Sequence, residues 1–172
     1  MPPQDRHVLA VVGAECSGKT TLALAVANAL GGQYVPEQLR GFVAQRGRTP
    51  SRSEQLPLMR AQMAAAAVPC DWVVSDGGAL MTAVYSVLYF DDHRLIADAV
   101  RYHRDDCALT VWCGINLPWS PDPGQRDGLE HRTRADAIIA SIVAEHGLEV
   151  LRVDGGVAER LAAVLGAVAP PG

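Results

Sequence analysis

Residues 13–20 read Gly13-Ala14-Glu15-Cys16-Ser17-Gly18-Lys19-Thr20. That spacing suits chemistry on a phosphate. Glycines let the backbone wrap an anion with its N–H groups, and a helix opening at the second glycine adds a favourable dipole. Lys19 is then placed to reach the β- and γ-phosphates, and the Thr20 hydroxyl to ligate Mg²⁺, with Thr21 alongside. The apolar run Val8-Leu9-Ala10-Val11-Val12 precedes this loop, and the helix-forming run Leu22-Ala23-Leu24-Ala25-Val26-Ala27 follows it. This is the strand–loop–helix setting the motif requires. The expected ligands are ATP and Mg²⁺.

A second group of residues could serve the phosphoryl acceptor. Asp76 closes the run Asp71-Trp72-Val73-Val74-Ser75-Asp76. A carboxylate at the carboxyl end of an apolar strand faces the ligand crevice of an open α/β sheet. If that strand neighbours the first, Asp76 sits beside Lys19 and Thr20, where it can hold Mg²⁺ or take a proton from an attacking hydroxyl. It also reads as the N-cap of the next helix. Glu37, in Tyr34-Val35-Pro36-Glu37, reads equally as a helix-initiating residue and as a holder of the acceptor hydroxyl. Arg40, one turn on, faces the same crevice or solvent.

Further along, Arg126, Arg132 and Arg134 surround Asp127-Gly128. Their guanidinium groups suit bidentate contact with the γ-phosphate. Tyr85 and Tyr89 lie four apart, as a core stripe or as a platform for a substrate ring. Trp119 is placed to pack over a bound base. His7, His93, His103, His131 and His146 show no metal-ligand spacing and read as surface residues.

Elements that position these residues alternate from end to end, which predicts a parallel sheet covered by helices. Strands are expected over Val8–Val12, Gln33–Val35, Trp72–Ser75, Ala108–Cys113 and Glu149–Val153. Helices are expected near Lys19–Leu30, Glu37–Arg46, Glu54–Val68, Ala79–Tyr89, Asp92–Arg104, Thr133–His146 and Val157–Val168. Ser53 reads as the N-cap of the third helix, and Gly31-Gly32 and Gly147 as helix stops. Asn116–Gly128 carries Pro118, Pro121, Pro123 and Gly124, so it is a loop. It follows the fourth strand, where a lid over about residues 116–134 would exclude water from bound nucleotide. The fold class is therefore α/β, a P-loop NTPase with a five-stranded parallel sheet flanked by helices, nucleoside- or nucleotide-kinase-like with a lid loop.

The chain's 172 residues suit one domain over 1–172. Apolar residues make up 49%, charged residues 20%, and the net charge is −4. With basic residues scattered, nucleic acid is not the expected partner. Cys16, Cys70, Cys107 and Cys113 form no C-x-x-C pair. Cys107 and Cys113 are expected to pack as small apolar side chains. Without a leader pattern or a run long enough to span a bilayer, the expectation is a cytoplasmic protein with no membrane partner. A homo-oligomer is compatible with the sequence.

Taken together, Gly13–Thr20, Tyr34-Val35-Pro36-Glu37-x-x-Arg40, Asp76 with Thr82 six later, and Pro118-Trp119…Asp127-Gly128-Leu129 form an ordered set. The set resembles the AAA-type P-loop ATPase/kinase family that contains the ribosylnicotinamide kinase domain of the bifunctional NAD-biosynthesis regulator, over about Val8 to Val153. The resemblance implies ATP-dependent phosphorylation of the 5′-hydroxyl of nicotinamide riboside. It implies Lys19 and Thr20 at ATP and Mg²⁺, Asp76 on the acceptor side, Glu37 and Arg40 near the crevice, and Asp127-Gly128-Leu129 with Arg132 or Arg134 as the lid.

Three departures accompany the resemblance. Asp76-Gly77-Gly78 stands where the related domain has Asp-Thr-Asp, so Gly78 replaces a carboxylate expected near the acceptor. Glu130 stands where an arginine follows Asp-Gly-Leu, and the nucleotidyltransferase half is not expected. The leading expectation is thus a kinase acting on a small nucleoside-like acceptor. A regulatory ATPase or nucleotide-dependent switch with a protein partner is the alternative, to which the glycine at position 78 lends modest weight. A nucleic-acid end kinase is disfavoured by the acidic balance.

Overall fold

The computed structural model describes residues 6–118 and 128–169. The apolar runs become β1 (His7–Val12), β2 (Gln33–Val35), β3 (Trp72–Asp76), β4 (Cys107–Cys113) and β5 (Leu151–Val153). They form one five-stranded sheet in the order β2-β3-β1-β4-β5, with every pair parallel. Parallel neighbours need crossover connections. These are supplied by α1 (Lys19–Leu30), α2 (Gln38–Arg46), α3 (Gln55–Ala65), α4 (Gly78–Phe90), α5 (Ile96–Asp105) and α6 (Leu129–His146), while α7 (Val157–Val168) follows β5 and packs against α1.

Helices on both faces explain why β1 is buried at every residue after His7. Leu9 and Val11 pack toward Leu22, Ala23 and Val26 of α1 and Val164 of α7. Val12 and Trp112 belong to the other layer, with Leu80, Met81 and Val84 of α4 and Ile139 and Ile142 of α6. Each fully buried aliphatic side chain contributes about 1.5–3 kcal/mol. β1 is therefore a rigid base for the loop that leaves its carboxyl end.

Most predicted boundaries hold within a few residues, and the differences have local causes. α1 stops on Gly31 and α6 on Gly147, both left-handed, as expected. Ser53 does not cap α3. Ser51 instead opens a 3-10 turn (Arg52–Glu54) through a capping box, its N–H bound to Glu54 Oε2 at 2.8 Å. α5 begins four residues later than expected because Asp92 turns its buried carboxylate to Arg94 (Nη2–Oδ2 2.7 Å) and Arg52 (Nε–Oδ2 2.9 Å). Those cations hold the Asp92 carboxyl well below the usual range. α6 begins four residues early, at Leu129.

His103 is a further correction, since it is 3% exposed rather than on the surface. Its Nε2 accepts from the Leu80 N–H at 3.0 Å and its Nδ1 lies 2.8 Å from Thr110 Oγ1. Burial lowers its pKa to about 4, so the neutral ring serves as an acceptor at the start of α4. Cys113 joins the core as expected, with burial pushing its thiol up to about 11 and that of Cys107 to about 12. No helix among the described residues is long and apolar enough to cross a membrane.

Candidate active site

Residues 13–18 leave β1 and turn directly into α1. A Cβ on Gly13 would lie 2.5 Å from Ser17 Oγ and 3.1 Å from Cys113 Cβ, so only glycine fits. Gly18, left-handed at φ +80°, caps α1 and is wedged between Leu117 and Arg160. Ser17 is 1% exposed and its Oγ has no partner. Ala14 is buried, while Glu15 and Cys16 are partly exposed and Cys16 takes φ +54°. Thr21 is exposed one residue past the loop.

The pairing of β1 with β3 sets Val11 opposite Asp76, so the loop and this carboxylate leave adjacent strand ends. The Thr20 hydroxyl donates to Asp76 Oδ2 at 2.6 Å, and the Tyr34 hydroxyl donates to the same oxygen at 3.0 Å. Asp76 is wholly buried and its Oδ1 has no partner. It does not cap α4, whose N-cap is Gly77. Burial, with the Asp76 carboxylate beside it, pushes the Tyr34 hydroxyl well above its usual pKa, so it remains a donor.

Lys19 is 3% exposed and its Nζ lies 3.7 Å from Glu37 Oε2. Arg40 Nε approaches the same oxygen at 3.4 Å from a mostly exposed side chain. Glu37 Oε1 is buried without a partner. Tyr85 is buried in the α4 core layer, where burial, then the Glu37 and Glu15 carboxylates, raise its pKa. Its ring stacks on Tyr89 at 6.2 Å, and Tyr89 on His131 at 6.0 Å. Lys19, Thr20, Glu37, Arg40 and Asp76 are thus brought together at one end of the sheet, with Tyr85 at its margin.

Of the lid arginines, Arg132 has partners within the protein. Arg132 is 3% exposed and its Nη2 donates to the carbonyls of Ile115 (2.8 Å) and Leu117 (2.6 Å). It therefore grips the segment after β4. Arg134 is exposed on α6. Arg126, with Trp119, Asp127 and the rest of residues 119–127 of the lid, lies outside the described residues.

Gly78 is tightly enclosed. It has φ +55°, and a Cβ there would lie 2.8 Å from His103 Cε1 and 3.1 Å from Ala10 Cβ. Packed against His103 and the sheet, this backbone leaves no room for a side chain at position 78.

Two contributors were missed in the sequence. The Tyr34 hydroxyl could have been suspected from its place on a strand next to the one ending in Asp76. Arg160 is 1% exposed and reaches the phosphate loop from α7. Nothing near it in the chain signals that contact.

The donor set fits the implied Mg²⁺. This ion prefers oxygen ligands and takes one or two from protein while substrate phosphates and water supply the rest. Thr20 Oγ1 and Asp76 Oδ2 are such oxygens, 2.6 Å apart. Among the described residues no group of three or more His, Cys, Asp or Glu forms a separate metal cage.

The fold is shared with solved small-molecule kinases. A NadR protein in complex with NR aligns at TM-score 0.73 and 20% identity, covering 95% of this chain and 50% of that one. The chain thus spans half the length of that relative. Deoxyadenosine kinase from M. mycoides, with products dCMP and a flexible dCDP bound, aligns at TM-score 0.63 and 10% identity, covering 94% and 98%. Shikimate kinase from Aquifex aeolicus aligns at TM-score 0.59 and 14% identity, covering 94% and 95%. No curated protein sequence matches the chain. Residues 8–160 match the AAA domain family, to which the chain belongs.

Proposed function

We propose that the protein is an ATP-dependent phosphotransferase acting on a hydroxyl of a neutral or cationic nucleoside-like acceptor, such as nicotinamide riboside. The observation that carries this reading is the Thr20–Asp76 contact at 2.6 Å beside the buried Lys19–Glu37 pair. Two carboxylate oxygens of these residues, Asp76 Oδ1 and Glu37 Oε1, are buried without a donor. Unpaired buried acceptors cost about 1–3 kcal/mol each. The hydroxyls of a sugar or polyol are donors of the right kind to relieve that cost.

In this reading the loop amides and Lys19 hold the β- and γ-phosphates of ATP, drawing Lys19 away from Glu37. Bound Mg²⁺, held by Thr20 and Asp76, would neutralise charge on the phosphates. Asp76 Oδ1 takes the proton of the acceptor hydroxyl as that oxygen bonds to the γ-phosphorus and the bond to the ADP oxygen breaks. Glu37 orients the acceptor. Acidic walls from Glu37, Asp76 and Glu15 disfavour an anionic acceptor and suit a neutral or positively charged one. Likeness to NadR in complex with NR supports a riboside within that class.

The test is ADP formation from ATP and Mg²⁺ with a panel of nucleosides, polyols and hydroxy acids. The expected result is stimulation by one or more nucleosides above the rate with ATP alone. If no hydroxyl compound raises ADP formation, the proposal fails.

A further inference from the structure

Arg160 is a buried cation with no charged partner among the described residues. Its fork is filled by neutral oxygens instead. Nε donates to the Gly155 carbonyl at 2.9 Å, and Nη2 to the Gly114 carbonyl at 3.2 Å and Asn116 Oδ1 at 2.9 Å. Nη1 donates to the Ser17 carbonyl, inside the phosphate loop. One guanidinium from the last helix therefore ties together the loop after β1, the segment after β4 and the turn after β5. A buried charge paired only with carbonyls is expensive to keep. Its retention beside an anion-binding loop is explained if the missing counter-charge is the bound triphosphate.

A second effect follows from peptide geometry. The Ser17 carbonyl and the Gly18 N–H belong to one peptide unit. A cation on the carbonyl oxygen draws electron density toward it and makes that N–H a stronger donor. Gly18 sits where a Cβ would meet Leu117 Cδ1 at 2.9 Å and Arg160 Nη1 at 3.4 Å, so the unit is also clamped in place.

We infer that Arg160 is a positioning residue of the nucleotide site, holding and polarising the Ser17–Gly18 peptide for phosphate binding and locking it to Gly114 and Asn116. This rests on the reading of residues 13–20 as an ATP site. Arg132 complements it by gripping Ile115 and Leu117, so residues 114–117 are held by arginines from α6 and α7. Lysine cannot reproduce the fork, because its single ammonium cannot span these acceptors in one plane.

The test measures ATP dissociation constants, kinetic constants and melting temperatures for wild type, R160K, N116A and V164A. Val164 is fully buried on the same helix but belongs to the apolar layer, so V164A reports the effect of loosening α7 alone. R160K is expected to weaken ATP binding about tenfold, the scale of a charge-assisted hydrogen bond. The KM for ATP should rise with it, and the acceptor KM should not. N116A, which removes one acceptor of the fork, should weaken ATP binding about two- to threefold. V164A should melt earlier with unchanged ATP affinity.

Should R160K fail to fold, N116A against V164A still decides the matter. ATP affinities of R160K and N116A equal to wild type would overturn the inference, as would an equal loss in V164A. Wild type failing to bind ATP would overturn the nucleotide-site reading and this inference with it.

Discussion

Two buried polar clusters lie on either side of the turn that starts α4, and they differ in one respect. At the crevice, Asp76 Oδ1, Glu37 Oε1 and Ser17 Oγ are buried with no partner. Behind the turn, both ring nitrogens of His103 are engaged, by Leu80 N–H and Thr110 Oγ1. His103 also lines a groove of about 580 Å³ with Arg104, Thr110 and Glu149, remote from the phosphate loop. Its lining includes neither Asp76 nor Glu37. Among the described residues the buried carboxylate oxygens without a partner both lie at the crevice, where they mark a cost that a ligand can remove. The His103 cluster is structural, and the Asp76 cluster is poised to bind.

Breaking the crevice should give the largest effects. D76N keeps the shape of the side chain and removes its capacity to take a proton. It should lower kcat by about 10²–10⁴-fold with the melting temperature nearly unchanged. K19M should lower kcat by about 10²–10³-fold, the scale for loss of one charge-stabilising donor. Wild-type rates in either variant would remove the distinction between the clusters.

What was legible in advance follows the same division. The loop, Asp76 and Glu37 could be found because strand ends and glycine spacing are local, and a parallel sheet sends every strand end to one edge. Arg132 misled because its position near Asp127-Gly128 fits a phosphate ligand equally well, whereas only the fold brings Ile115 and Leu117 within its reach. His103 and Arg160 were illegible for the same reason. Their partners, Thr110 and Leu80 for one and Ser17 and Gly114 for the other, come from other elements of the chain. The crowding of Gly78 against His103 was equally illegible, since it too depends on an element distant in the chain.

Perturbing the His103 cluster should alter stability and leave chemistry alone. Its pKa is lowered from 6.5 to about 4 by burial. The unfolded chain therefore binds a proton between these values while the folded one does not. Stability is full above about pH 6.5 and is lost as pH falls toward 4, by about 3 kcal/mol in total. Denaturant titrations across that range check this. H103Q should flatten the profile with kcat within about twofold of wild type, since glutamine carries no titrating charge.

Within the crevice the smallest effect is expected from Y34F. It removes one hydroxyl donor to Asp76 Oδ2 while the Thr20 donor at 2.6 Å remains. A cost of about 1–2 kcal/mol, read as about a tenfold fall in kcat/KM, would fit a hydrogen bond to a charged group. An unchanged kcat/KM would mean that Thr20 alone holds the carboxylate.

The central claim is that phosphate leaves ATP for an acceptor hydroxyl in the crevice. Phosphorus NMR of a reaction with ATP, Mg²⁺ and nicotinamide riboside or a stimulating nucleoside follows that phosphate directly. The account predicts a new phosphate monoester resonance growing in step with ADP, and growing about 10²–10⁴-fold more slowly with D76N. Growth of inorganic phosphate alone, at a rate no acceptor changes, would contradict it and mark the protein as a hydrolysing switch.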